Sequence, residues 1–319
     1  MIQLNYTSLL NMIATLFLML IVGYVAGKLG IITDTASKNL SALIIKIGQP
    51  AMIIYNLVKM GYSAENLGLG FLTLAFSLGL HIFLAVVSYV AFLRFRNVDE
   101  RKLSEFSAIF GNVGFIGIPI LESVFGDKGG FMGSFFNVGF QLMVWTWGII
   151  ILARKRADIK ITPRKVIANF GTIPSAVGIA LFLLKGIDGF FIPVPFMQGL
   201  SFLAALCTPI SMLIIGALLA KRSVKQILGS GKIYYLCLIK LVVTPLLVCA
   251  LMRLLGCDAD WIIFAAVVVS MPSATTVSML AELHDISPGY SAQAVGTTSL
   301  LSILSMPCVI WLAQKIIEL

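Results

Sequence analysis

The sequence predicts an all-α integral membrane protein of ten transmembrane helices, in two inverted five-helix repeats whose fourth and ninth helices are broken. Three observations predict it. Of 319 residues, 59% are hydrophobic and 12% charged, whereas a soluble domain is about 45–50% apolar and about 25% charged. The apolar residues gather into ten runs of spanning length, and matching features recur in the two halves at one spacing. A mean hydropathy of +1.00 is too high for a chain that must face water.

A spanning helix needs roughly 20 mostly apolar residues. Runs of that kind lie near 9–27, 39–58, 66–93, 104–125 and 130–153, then near 165–184, 197–220, 233–254, 259–281 and 289–314. The opening MIQLNYTSLL has no basic n-region, so the first run reads as a retained helix and not a cleaved signal. All five cysteines (Cys207, Cys237, Cys249, Cys257 and Cys308) lie in or beside apolar runs and read as buried, unpaired thiols. No Cys/His spacing suggests a metal, and no cofactor is expected.

Basic loops stay on the cytoplasmic side. Sixteen of the 23 Lys and Arg residues fall in the odd-numbered loops, and five in the even-numbered loops and termini. Both termini are therefore expected outside. The net charge of +9 is distributed through these short loops, so it reports membrane topology and not a nucleic-acid partner. The domains follow: a first repeat at 1–153, a short basic cytoplasmic loop at 154–164, and a second repeat at 165–319.

Five spans per half, an odd number, places two similar halves in opposite orientations. Pro50 in GQPAMII and Pro209 in CTPISML are 159 residues apart, as are Arg94 in VAFLRF and Arg253 in CALMRLL. Repeats of this kind frame central binding sites in many membrane carriers. Each half also holds one broken span. Span 4 packs Gly111, Gly114, Gly117 and Pro119 into nine residues, and span 9 flanks Pro272 with Ser270, Ser273, Thr275 and Thr276. Glycine and proline weaken the helical ladder. In hydrocarbon the freed backbone groups persist only where protein or a water-filled cavity satisfies them. A lone proline kink would be ordinary; two at matching places favour a substrate site.

At these residues the chain resembles the auxin efflux carrier family, which includes plant PIN-type carriers and bacterial permeases linked to malate and malonate. The resemblance covers nearly the whole chain and is most specific in GNVGFIGIPI (111–120), MPSATTVSMLAELHD (271–285) and KLVVTP (240–245), with QLMVWT (141–146) also similar. The short central loop is similar to that of the bacterial members. The resemblance implies that spans 4 and 9 cross near the midplane. It also implies a scaffold of spans 1, 2, 6 and 7, often dimeric, and a transport domain of spans 3–5 and 8–10 moving as an elevator. A small organic anion would be the substrate and the lipid bilayer the setting.

Crossed, broken helices would bring helix N-termini toward one point, each with roughly +0.5 of a charge and unpaired N–H groups. Such a point favours a carboxylate. Asn112 and the backbone from Gly114 to Pro119 are the first candidates, with Ser273 and Thr275 opposite; the resemblance carries Asn112, Pro119 and Pro272 onto the crossover. Asn137 and Gln141, four apart on one helix face, offer donors and acceptors, or simply a helix–helix contact. Lys240, well inside span 8, would pair with the anion, cap carbonyl oxygens or snorkel; Lys46 reads as snorkelling. His81, 159 residues before Lys240, would titrate or simply pack. Glu122, one turn after Pro119, is the carboxylate considered for proton coupling.

Two other readings stay open. A sodium-coupled carrier of the bile-acid symporter type would use Asn112, Ser270, Thr275 and Thr276 as cation ligands, and a receptor or scaffold would not transport at all. An enzyme is not expected: the two histidines are 203 residues apart, and HExxH, GxSxG and a central aspartate pair are all absent from the sequence.

Overall fold

The computed structural model describes residues 6–156, 169–220 and 231–318. Among these, every regular element is helical, and the single β-type feature is one isolated bridge. Helix α1 (Tyr6–Lys28) covers the first apolar run. The second comprises α2 (Asp34–Leu43), a widened π-helical turn (Ile44–Gly48) and α3 (Gln49–Lys59). Helix α4 (Ala64–Ala91) is the third. The fourth is interrupted: α5 (Val98–Ile109), then a π-helical turn (Val113–Gly117) leading into α6 (Ile118–Phe125). The fifth is α7 (Asp127–Met143), a π-helical turn (Val144–Gly148) and α8 (Ile149–Ala153).

The second half begins with α9 (Thr172–Leu184), followed by α10 (Val194–Ala205) and α11 (Cys207–Ala220), which part at Leu206. Helix α12 (Gly231–Leu238) passes through a π-helical turn (Ile239–Val243) into α13 (Thr244–Leu254). The ninth run is interrupted like the fourth, as α14 (Ala259–Ser270) and α15 (Thr276–Leu283). Helix α16 (Pro288–Glu318) closes the chain. Lys160, Arg164, Lys165, Lys221, Arg222 and Lys225, six of the sixteen basic residues assigned to the odd-numbered loops, lie outside the described residues.

Three of the early helices start at side-chain caps. Thr33 accepts from Ala36 N at 3.2 Å and Ser63 from Asn66 N at 3.0 Å. The fourth run starts at Val98 and not near 104, because Asn97 Oδ1 accepts from the Asp99 and Glu100 amides. The carboxylates of that first turn suit the helix N-terminus. A hydropathy window misses such a polar start.

Three of the four π-helical turns end two residues before a proline: Pro50, Pro119 and Pro245. A proline ring collides with the carbonyl of residue i−4 and donates no hydrogen bond. A turn widened by one residue moves that carbonyl aside and lets the helix continue.

Among the described residues, seven helical stretches are long and apolar enough to cross a membrane: Leu9–Lys28, Asp34–Lys59, Ala64–Ala91, Asp127–Ala153, Val194–Ala220, Gly231–Leu254 and Pro288–Glu318. Three apolar helices are shorter, namely Val113–Phe125, Thr172–Leu184 and Ala259–Ser270. Burial is inverted relative to a soluble protein. Phe202 and Leu304 are 73% exposed, while His81, Asn137 and Lys240 are buried. Apolar surface outside and polar groups inside is what a hydrocarbon solvent selects.

Helices α1 and α11 meet along a close seam. A Cβ on Gly23 would lie 2.3 Å from the Leu213 carbonyl oxygen, and one on Gly216 would lie 2.1 Å from that of Leu20. Only glycine permits this approach, and in lipid such close packing is what holds helices together. At the centre, α7 is buried continuously from Gly129 to Gln141 and α14 from Ile262 to Ser270. Glu105, which the sequence places near a span end, is 1% exposed and held by two guanidiniums. Arg101 Nε is 2.8 Å from one oxygen and Arg154 Nη1 2.5 Å from the other. The Tyr89 ring supports both arginines at 4.9 and 5.5 Å, joining α4, α5 and the end of α8.

Candidate functional site

The two interruptions meet. Gly111, between α5 and the π-helical turn, forms an antiparallel bridge with Ser273, between α14 and α15. Asn112 N donates to the Pro272 carbonyl at 2.8 Å, and Ala274 N donates to the Phe110 carbonyl at 2.9 Å. Each broken segment therefore supplies the partner that the other lost. Glycine belongs at 111 because a Cβ there would sit 3.1 Å from Met271 Cβ.

The end of α5 is completed by other spans. Ser273 Oγ donates to the Ser107 carbonyl at 3.1 Å, and Lys240 Nζ donates to the Ala108 carbonyl at 3.0 Å. Ser273 N in turn donates to Thr298 Oγ1 of α16 at 3.1 Å. Lys240 is thus a carbonyl cap at a helix C-terminus, one of the readings the sequence allowed. Its ammonium also borders the bridge, at 3.5 Å from where a Gly111 Cβ would be. Among the described residues it pairs with no carboxylate.

On the other side of the break the polar groups are left open. Asn112 caps the π-helical turn, its Oδ1 accepting from Phe115 N at 3.4 Å, while its Nδ2 is buried without a partner. Asn137 is wholly buried in α7, with neither amide atom hydrogen-bonded. Gly114 lies between: a Cβ there would be 3.7 Å from Gln49 Nε2 and 3.9 Å from Asn137 Oδ1. Three amides, from α3, the span-4 break and α7, thus surround one bare stretch of backbone. A buried amide without a partner is unfavourable by about 1–3 kcal/mol. Asn112 and Asn137 leave three such atoms near Gly114.

The remaining candidates sit around this centre. Pro119 is the second residue of α6 and follows the widened turn. Gln141, one turn beyond Asn137, is covered by Gly171 at the start of α9, where a Cβ would lie 2.3 Å from Gln141 Cδ. Thr275 is half-buried before α15 and makes no side-chain cap. Pro272 contributes its carbonyl to the bridge.

Two candidates are occupied elsewhere. His81 Nδ1 is 2.6 Å from the Ser77 carbonyl, and its ring packs against Phe110, Phe136 and Phe140. Glu122 lies 3.9 Å from Lys59 Nζ, which is itself 2.6 Å from Asp127. Lys46 is exposed. Gln49 was missed by sequence reasoning, although the signal was present: an amide immediately before Pro50 inside an apolar run. Among the described residues no group of three His, Cys, Asp or Glu side chains is placed to hold a metal.

A family model described as "Membrane transport protein" matches residues 8–176 and 167–310. The chain belongs to that family. This membrane transport family is the one that includes the auxin efflux carriers, so the resemblance read from 111–120 and 271–285 holds. An uncharacterized transporter of Methanocaldococcus jannaschii is 23% identical over 300 residues, covering 92% of this chain and 96% of the relative. A Rhizobium meliloti protein named "Putative malonate transporter" is 23% identical over 323 residues, 96% of each chain. A second uncharacterized transporter, from Methanothermobacter thermautotrophicus, is 22% identical over 306 residues, 92% of this chain and 95% of the relative. The family and these relatives are membrane transporters and not enzymes.

Proposed function

We propose that this membrane transporter carries a small organic anion by secondary active transport, and that the anion binds at the paired breaks. The observation that carries this reading is the set of unpartnered buried amide atoms on Asn112 and Asn137, with Gln49 beside them, around Gly114. Amide N–H groups at the start of a helical segment stabilise a carboxylate without a charged side chain facing it. Gln141 extends the polar face, while Pro119 and Pro272 hold the breaks open. Lys240 and Ser273 serve the frame. The relative named for malonate supports an acid as cargo.

The proposed architecture is ten spans in two inverted halves, with both termini outside. Pro50 and Pro209 each follow an interruption in their own run, as an internal repeat requires. His81 and Lys240, at the same spacing, reach the same end of α5, one by its ring and one by its ammonium. Spans 1, 2, 6 and 7 form the scaffold, for which the glycine seam between α1 and α11 supplies rigidity. Spans 3–5 and 8–10 form the transport domain, knitted by the backbone bridge and the Glu105 cluster. Elevator motion of the second against the first exposes the site to each side in turn. A homodimer through the scaffold completes the proposal.

The test is counterflow of radiolabelled malonate in proteoliposomes loaded with candidate acids. Exchange that needs no sodium gradient, and that Asn112→Ala lowers by about tenfold or more in a folded protein, is expected. Strict sodium dependence would favour the bile-acid symporter reading. Unchanged exchange in both Asn112→Ala and Asn137→Ala would remove the site.

A further inference from the structure

The hydrogen-bonding character of the open groups, and the charge around them, narrow the cargo further. This step rests on the anion-carrier reading above. Asn112 leaves a donor, Nδ2, without a partner. Asn137 leaves a donor and an acceptor, and exchanging its amide nitrogen and oxygen would leave one of each just the same. A plain carboxylate has acceptors only. It could satisfy both amide nitrogens but would set its own oxygens against Asn137 Oδ1, an acceptor that is wholly buried. The ligand that completes the site brings a hydrogen-bond donor beside its carboxylate.

Charge gives a second, independent constraint. The Lys240 ammonium borders the bridge on its frame side, 3.5 Å from where a Gly111 Cβ would be, and no carboxylate among the described residues pairs with it. The buried carboxylate Glu105 is neutralised by Arg101 and Arg154, and Glu122 faces Lys59. The neighbourhood therefore offsets at most one negative charge. A dianion would leave a net charge buried in a membrane interior, where uncompensated charge is strongly unfavourable.

We infer that the species carried is a singly charged acid with a hydrogen-bond donor close to its carboxylate: a hydroxy acid, or a dicarboxylic acid in its half-protonated form. A dicarboxylic acid taken in this way brings its own proton. It binds as the monoanion, crosses, and releases the proton to water on the far side. Uptake is then linked to the proton gradient without a titrating protein carboxylate, consistent with the engagement of Glu122 and His81 elsewhere.

The experiment uses the full chain in proteoliposomes and competes lactate, propionate and malonate against radiolabelled malonate over a range of pH. Lactate and propionate share size and charge and differ by one hydroxyl. Lactate is expected to compete about tenfold better, the effect of one hydrogen bond to a buried amide acceptor. Malonate should weaken as pH rises through its second ionisation, by about tenfold per unit once the dianion dominates, while lactate stays constant. In Asn137→Ala, with folding verified by thermal stability, the preference for lactate over propionate should vanish. Should that variant misfold, the wild-type comparison still decides. Equal competition by lactate and propionate, or malonate competition that persists or strengthens with the dianion, overturns the inference and leaves the anion carrier standing. Exchange of none of these acids overturns the carrier reading and the inference together.

Discussion

The two broken spans look alike in sequence and differ in what their polar groups do. Around the break after α14, the hydroxyls of Ser270 and Ser273 end on the Val267 and Ser107 carbonyls, and the Ser273 amide ends on Thr298. Around the break after α5, amide atoms of Asn112 and Asn137 remain open. On the proposed reading the second break is framework and the first is a mouth. On that reading only one of the two interruptions supplies recognition. The division has a physical basis: short hydroxyl side chains reach nearby carbonyls, whereas longer amides project past their own backbone with a donor and an acceptor to offer.

The largest expected difference between the two is in transport. Asn112→Ala and Asn137→Leu should each reduce malonate exchange on the order of tenfold to a hundredfold, the worth of a hydrogen bond to a charged ligand. Retention of full exchange by both would reverse the assignment of mouth and frame. Next is stability. Ser273→Ala leaves the Ser107 carbonyl buried without its donor, an expected loss of about 1–3 kcal/mol. It should appear as a lower melting temperature in detergent, and an unchanged one would remove Ser273 from the frame.

Much of this was legible in the sequence, for definite reasons. The apolar runs fix where helices lie, because hydrocarbon thickness sets their length. The clusters at Gly111–Pro119 and Ser270–Thr276 mark the breaks, because those residues cannot sustain the ladder. What the sequence left open is partnership across distance. Nothing local says that Gly111 pairs with Ser273, or that Lys240 ends on Ala108 of another span. Gln49 escaped notice because it sits in a run read only for its apolar length, and its position beside Gly114 is a tertiary fact. Glu105 opens the apolar run near 104–125, yet it lies within α5 and two arginines from separate elements hold it buried.

A smaller effect carries an opposite sign. Asn137→Leu removes two buried polar atoms that have no partner in the unliganded protein, so it should raise stability by about 1 kcal/mol while transport falls. Thermal melts of the purified variant decide this, and a loss of stability would mean that Asn137 is held by groups within the fold.

The smallest effect sharpens the comparison most. Thr275 lies in the second break, is half-buried and makes no cap to α15. If that break is only framework, Thr275→Val touches neither a bonded carbonyl nor the cargo. Its stability and exchange should then stay within about 0.5 kcal/mol, little more than a factor of two. Counterflow alongside Asn112→Ala reads the difference directly. Should Thr275→Val lose exchange as deeply as Asn112→Ala, the hydroxyl side of the bridge also touches the anion. The two breaks would then be equal partners in recognition.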